Sequence, residues 1–226
     1  MKNVFVLTRN VKQFVNVASS LEGRDAGVPG LALVWGTRGL GKTRAALWYT
    51  ARNGCVYIRA KTRWSDSWLL QDVATEIGLS FGARPTLKAL FEGVVGNLKE
   101  RPRLIVVDEI NICSLSCLNT LRDVHDLSDN PFLFVGHEGV LQRLKPIGPL
   151  FDRLLYVSEF KPFTHEDLKD FSSQSLDVPA NDDALSKVVK LTQGNVRKSI
   201  VLLKGAENRA KAARAACIGP EHLPRE

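Results

Sequence analysis

The chain has 226 residues and a formal net charge of +7, from 31 Lys+Arg against 24 Asp+Glu. At 44% hydrophobic and 24% charged residues its composition is that of a globular protein, which excludes a disordered or fibrous chain. No apolar run approaches the ~18 residues that a membrane span needs, and Arg9 interrupts the brief N-terminal apolar run too early for a signal peptide. Cys55, Cys113, Cys117 and Cys217 lack zinc spacing and are too few for a disulfide framework, so a cytosolic protein with reduced, structural thiols is expected.

In chain order, Leu31 to Trp35 is a short continuous apolar run that ends in a glycine-rich loop. A helix is predicted from Thr43 to Asn53, stopped by Gly54, and Cys55 to Arg59 then reads as a second buried strand. Trp68, Leu69, Val73 and Ile77 give helical spacing over Asp66 to Ile77, and Thr86 caps a further predicted helix running to about Leu98. Leu104 to Asp108 is the third strand, Ser114 to Leu127 a helix, Pro131 to Val135 the fourth strand and Leu154 to Val157 the fifth. Apolar strands alternating with helices predict an α/β fold with a parallel sheet covered on both faces. From Thr164 the strand signal stops, and Thr164 to Ser173, Asp182 to Thr192 and Gly194 to Arg214 read as helices. A boundary is therefore expected at 158/159, with an α/β domain over 1–158 and a helical domain with a basic tail over 159–226.

Charge is unevenly spread. Residues 1–63 hold eleven Lys/Arg against Glu22 and Asp25, whereas residues 64–196 carry an acidic excess and residues 197–214 return to +5. Clustered cations suit a polyanion, because they release counterions from a phosphate backbone. A solvated basic surface, together with the cations of a nucleotide site, accounts for the same pattern.

Gly36-Thr37-Arg38-Gly39-Leu40-Gly41-Lys42-Thr43 fits G-x-x-x-x-G-K-[ST], with a predicted strand before it and a helix after it. In such a loop the glycines let backbone N–H groups curl around a β-phosphate at a helix N-terminus. Lys42 reaches the β- and γ-phosphates and the Thr43 hydroxyl holds Mg²⁺, so ATP and Mg²⁺ are expected, with the contact surface running from Gly36 through Arg44. The third strand ends in Asp108-Glu109. Asp108 is placed to hold the metal through water, and Glu109 to polarise an attacking water as a general base. The pair points to hydrolysis.

The order GTRGLGKT, IVVDE, FVGHE, FDR and GNVRKS resembles the AAA+ ATPases over nearly the whole chain. Together with LTRNVKQF and the compact size, it is most similar to transposition protein B of Mu-like phages and related target-selecting transposon ATPases. The resemblance implies a three-layer P-loop core with a five-stranded parallel sheet and a small C-terminal all-helical lid, in a bacterial or phage-infected cytosol. It places His137 at the sensor position after the fourth strand, Arg153 at the arginine finger that reaches a neighbouring subunit (Arg143 being the competitor), and Arg197 at the lid arginine. It sets Leu7, Thr8 and Val11 on the adenine side. The Mu protein carries an N-terminal DNA-binding appendage, whereas about thirty residues precede this core strand, so DNA contact is expected from Arg59, Lys61 and Arg63, with Trp64 as a packing anchor. The implied function is an ATP-dependent, non-sequence-specific ATPase that oligomerises as a ring or filament on double-stranded DNA and delivers it to a transposase. The alternative is an initiator, loader or signalling switch acting on a protein partner without DNA.

Overall fold

Five short strands, β1 (Leu31–Trp35), β2 (Val56–Arg59), β3 (Ile105–Asp108), β4 (Phe132–Val135) and β5 (Leu154–Glu159), form one sheet in the order β2-β3-β4-β1-β5 in the computed structural model. Every pairing is parallel. Parallel neighbours need crossover helices, which cover both faces, and that is why β1, β3 and β4 read as unbroken apolar runs. By contrast β5, at the end of the strand order, exposes Leu155, Tyr156 and Val157 and departs from the expected full coverage. On one face Leu31, Leu33, Ile105, Val107, Phe132 and Phe134 join a single buried cluster with side chains of α3 (Asp66–Glu76), α4 (Leu87–Glu100) and α5 (Leu115–Ser128). Residues of the opposite parity (Ala32, Val34, Val106, Leu133 and Val135) are buried as well, so the second face is also covered. The register Leu31↔Phe132 and Ile105↔Phe132 aligns the strands, and Gly36, Glu109 and Gly136 leave β1, β3 and β4 at one common edge.

The structure describes residues 2 and 4–224. Contacts divide the chain into two compact units, one of Gln13–Gly36 and Lys42–Glu159, the other of Met1–Lys12, Thr37–Gly41 and Phe160–Glu226. The first holds the sheet, most of α1 (Arg9–Glu22), α2 (Lys42–Asn53), α3 to α5, and the short α6 (Val140–Leu144) and α7 (Gly148–Phe151). The second is built on α8 (His165–Ser175), α9 (Asp182–Thr192) and α10 (Val196–Ala212), with a core that includes Leu168, Leu185, Val188, Leu203, Ala206 and Ile218. No helix among the described residues is long and apolar enough to cross a membrane.

Side-chain caps set most helix starts. Ser65, Thr86 and Ser114 accept from the N–H three residues on, at Trp68, Ala89 and Cys117, and Thr164 forms a capping box with Asp167. Each such cap contributes about 1 kcal/mol. Several boundaries differ from the sequence expectation. α1 was not expected, although Val11, Phe14, Ala18 and Leu21 lie at helical spacing and are buried. The helix expected from Gly194 starts at Val196, because Gln193 and Gly194 both have positive φ and end α9 before Asn195 caps α10. The fifth strand, expected over Leu154 to Val157, runs on to Glu159, and Phe160 follows in the helical unit.

Candidate functional site

The loop Gly36–Gly41 connects β1 to α2, with φ of +150° at Gly36, +86° at Gly39 and +92° at Gly41. Those values lie where a Cβ is strongly disfavoured, so the loop's curl depends on glycine at these positions. Lys42 opens α2 and its Nζ donates to the Gly36 carbonyl at 2.7 Å, folding the ammonium back along the loop. Thr43, the next residue, donates its hydroxyl to Asp108 Oδ2 at 2.7 Å.

Asp108, the last residue of β3, is only 2% exposed. A buried carboxylate demands donors, and it has three: the Thr43 hydroxyl, the Tyr57 hydroxyl at 2.9 Å on the same oxygen, and the Glu109 N–H at 2.8 Å on Oδ1. Burial and the Asp108 carboxylate push the Tyr57 hydroxyl pKa well up, so Tyr57 stays a donor throughout the ordinary pH range. Glu109 adopts a left-handed backbone, φ 57° and ψ 36°, unusual for a residue with a side chain and concentrated at functional positions. Its Oε1 accepts from Arg59 Nη2 at 3.4 Å, which fits the register that sets Arg59 opposite Asp108.

The sheet unit thus brings Lys42, Thr43, Asp108 and Glu109 to one strand edge. His137 follows β4 on that edge: its N–H donates to Asn111 Oδ1 at 2.7 Å, and its Nδ1 lies 2.7 Å from the Glu138 carbonyl. Asn111 is buried and also donates to the His137 carbonyl at 3.3 Å, so it clamps the loop that presents the histidine.

The two arginine-finger candidates lie at opposite edges. Arg143, on α6, donates to the Cys113 carbonyl, beyond β3 at the phosphate-loop edge. Arg153 precedes Leu154, which registers with Leu31 at the start of β1. Arg153 Nε donates to Asp126 Oδ1 at 2.6 Å and its Nη1 to the Pro149 carbonyl. The five-residue β1 separates this edge from Gly36 by roughly 16 Å, so Arg153 is remote from its own chain's Lys42.

In the helical unit the Arg197 side chain is exposed, and its N–H donates to the Gly39 carbonyl at 2.9 Å. Of the residues expected on the adenine side, Val11 is buried and Leu7 exposed, and the Lys12 N–H donates to the Thr8 carbonyl at 2.9 Å. The DNA-contact candidates follow β2. Lys61 Nζ donates to Asp72 Oδ2 at 2.7 Å, and Arg63 turns the chain at φ 65°. Trp64 is buried and donates to the same Asp72 oxygen at 2.8 Å, as a packing anchor should. Trp68, in the first turn of α3, is the exposed aromatic here, with Lys61 Nζ 5.1 Å from its ring centroid. All four cysteines are free, and burial pushes the Cys113 thiol up to about 12, which keeps it protonated and unreactive.

Tyr57, Asn111 and Asn195 were not singled out from sequence. The only local signal was a polar side chain beside a strand end or inside the GNVR motif; their partners lie far along the chain.

A profile of the AAA domain matches residues 26–144, more than half of the chain. A "Potential ATP-binding protein" of Staphylococcus aureus is 29% identical over 103 residues, which cover 42% of this chain and 38% of that protein, so the chain spans well under half the length of this curated relative. Among solved structures, Cdc6p of Pyrobaculum aerophilum superposes with a TM-score of 0.72 at 20% identity, covering 98% of this chain and 68% of that one. ORC1 of Aeropyrum pernix in complex with DNA gives 0.66 at 19% identity over 96% of this chain and 64% of its own. The RuvB Holliday junction branch migration motor of Thermotoga maritima gives 0.60 at 21% identity, over 94% and 66%. These likenesses are in fold, an α/β core with a five-stranded parallel sheet and a helical C-terminal part. With the profile match across the phosphate loop and β3, they lead to one assignment: the chain belongs to the AAA domain family.

Proposed function

We propose that this chain is an ATP- and Mg²⁺-dependent AAA+ ATPase that binds double-stranded DNA without reading its sequence, oligomerises on it and presents it to a transposase. The observation that carries the nucleotide part is the Thr43–Asp108 contact beside the glycine loop and Lys42. A hydroxyl and a carboxylate 2.7 Å apart are hard oxygen donors of the type Mg²⁺ takes, so the residues fit the ion. When bound, Mg²⁺ would neutralise charge on the β- and γ-phosphates.

The chain's own residues then divide the work. Loop N–H groups and Lys42 bind the phosphates, Lys42 exchanging the Gly36 carbonyl for phosphate oxygen. Glu109 takes the proton of the attacking water, for which its carboxylate must leave Arg59. His137 orients the γ-phosphate side, and Arg197 acts from the lid. Arg153, at the edge remote from its own Gly36, serves a neighbouring subunit as arginine finger. The domain assignment, 1–158 for nucleotide and 159–226 as lid, belongs to the same proposal.

The DNA part is supported by the basic excess in residues 1–63 and by the cations after β2. ORC1 in complex with DNA and the RuvB branch migration motor also share this fold. The transposase as recipient follows from the resemblance in LTRNVKQF and GNVR. A second reading, a switch acting on a protein partner, is favoured by one observation: Arg59 and Lys61 are already paired with Glu109 and Asp72.

The deciding experiment is double-stranded DNA binding by the purified protein with ATP, with ADP and with Lys42→Ala, across a salt series. Binding that needs ATP, disappears in the variant and falls steeply with salt is the expected result. Equal binding in all conditions, or none, would refute the DNA reading and favour the protein-directed switch.

A further inference from the structure

The carbonyls of the phosphate loop have their own partners. Asn195 Nδ2 donates to the Arg38 carbonyl at 2.9 Å, and the Arg197 N–H donates to the Gly39 carbonyl at 2.9 Å. Asn195 is at the same time the N-cap of α10, its Oδ1 accepting from the Lys198 N–H at 3.1 Å. One amide thus uses its oxygen to start a helix and its nitrogen to hold the loop. The packing is close. A Cβ built on Gly39 would lie 2.5 Å from Asn195 Nδ2, so a side chain there would displace the Asn195 amide, and the φ of +86° favours glycine in any case.

In a trans peptide the C=O of one residue and the N–H of the next point in opposite directions. Fixing the Arg38 and Gly39 carbonyls toward the start of α10 therefore turns the Gly39 and Leu40 N–H groups to the other side of the loop. Successive N–H groups held on one side form an anion-binding nest.

We propose that Asn195 is a positioning residue for nucleotide phosphates: it holds the Arg38 carbonyl so that the Gly39 and Leu40 N–H groups are set to receive them. This rests on the reading of Gly36–Thr43 as a phosphate site. Asn195→Asp separates the two roles of the side chain. A carboxylate keeps the capping acceptor but replaces the Nδ2 donor with an oxygen facing the Arg38 carbonyl. Asn195→Ser likewise keeps a cap but is too short to span to the loop. Asn181→Ser alters the cap of α9, where Asn181 Oδ1 accepts from Ala184, and serves as the structural control.

The test is titration of fluorescent ATP and ADP analogues into the full chain, with thermal melts and single-turnover hydrolysis on the same samples. Melting temperatures close to wild type are expected for Asn195→Asp and Asn195→Ser. Dissociation constants for both nucleotides should rise about five- to tenfold, the scale of one lost hydrogen bond, while Asn181→Ser binds as wild type does. Wild-type affinity in both Asn195 variants, alongside lost affinity in Lys42→Ala, would overturn the positioning role and leave Asn195 a helix cap. Wild-type affinity in Lys42→Ala as well would overturn the phosphate-site reading, and this proposal with it.

Discussion

Tyr57→Phe deletes one hydroxyl and leaves the ring in place, which makes it a clean probe of the carboxylate at the centre of the site. Asp108 is 2% exposed, and its Oδ2 accepts from Tyr57 at 2.9 Å and Thr43 at 2.7 Å. A hydrogen bond to a charged group is worth about 1.5–3 kcal/mol, but Thr43 remains on the same oxygen, so the lower end, ~1.5 kcal/mol, is expected. For a chain of this size each kcal/mol moves the melting temperature by about 2–4 °C, giving a fall of roughly 3–6 °C. Urea unfolding of wild type, Tyr57→Phe, Asp108→Asn and the double variant closes a mutant cycle, with an expected coupling of about 1 kcal/mol between neighbours that share a bond. A Tyr57→Phe protein within 0.5 kcal/mol of wild type, or an additive cycle, would refute the view that Asp108 depends on this donor.

Two further outcomes follow from the sheet unit. His125 is buried, accepts at Nε2 from the Gly30 N–H at 3.4 Å and donates from Nδ1 to the Asn130 carbonyl at 2.9 Å; burial lowers its pKa, so its contribution is complete above the ordinary histidine value of about 6.5 and is lost as pH falls from there toward the folded value. Melts at pH 7.5 and 5.5 should show a steeper acid loss in wild type than in His125→Gln, by at most about 1.4 kcal/mol per pH unit, and equal slopes would contradict the assignment. Arg59→Ala breaks an ion pair whose side chains are 61% and 34% exposed, so stability should change by less than about 1 kcal/mol. With Glu109 as the proposed base, phosphate release without DNA should rise once the pair is broken, and an unchanged basal rate would show that Arg59 does not restrain it.

The sheet was legible because a strand buried on both faces carries its signal in every residue, as LALVW, LIVVD and FLFV do. Lys42-Thr43 and Asp108-Glu109 drew attention through short motifs at the ends of apolar strands, and the fold does bring the Thr43 hydroxyl to Asp108 at 2.7 Å. What escaped depends on distance along the chain. Tyr57 meets a partner 51 residues away, Asn111 one 26 away and Asn195 one 157 away, and none sits in a pattern that announces the contact. The tryptophans make the same point: Trp64 and Trp68 lie one helical turn apart with the same nearby charges, yet only the fold buries the first and exposes the second. Breaks in hydrophobic periodicity also concealed real boundaries, such as the start of α10, where two positive-φ residues end one helix two positions before the next begins.

The edges of the sheet bear on how a complete site is assembled. Lys42 and Asp108 lie where the strands end, and Arg153 lies where β5 begins, one strand length away and tied to Asp126. A residue so placed serves a phosphate group only if a second copy brings its opposite edge alongside, which is a head-to-tail contact between unlike surfaces. Under the proposed ATPase reading, Arg153→Ala and Lys42→Ala should therefore each abolish hydrolysis when alone, for different reasons. Mixed in equal amounts, they form interfaces in which an Arg153→Ala subunit supplies an intact loop and a Lys42→Ala subunit supplies the arginine. Random assembly yields that pairing at about one interface in four, so phosphate release should recover to roughly a quarter of wild type. Recovery requires that the arginine act across the interface. No recovery, together with loss of activity in Arg143→Ala, would move the finger to Arg143 on the phosphate-loop edge.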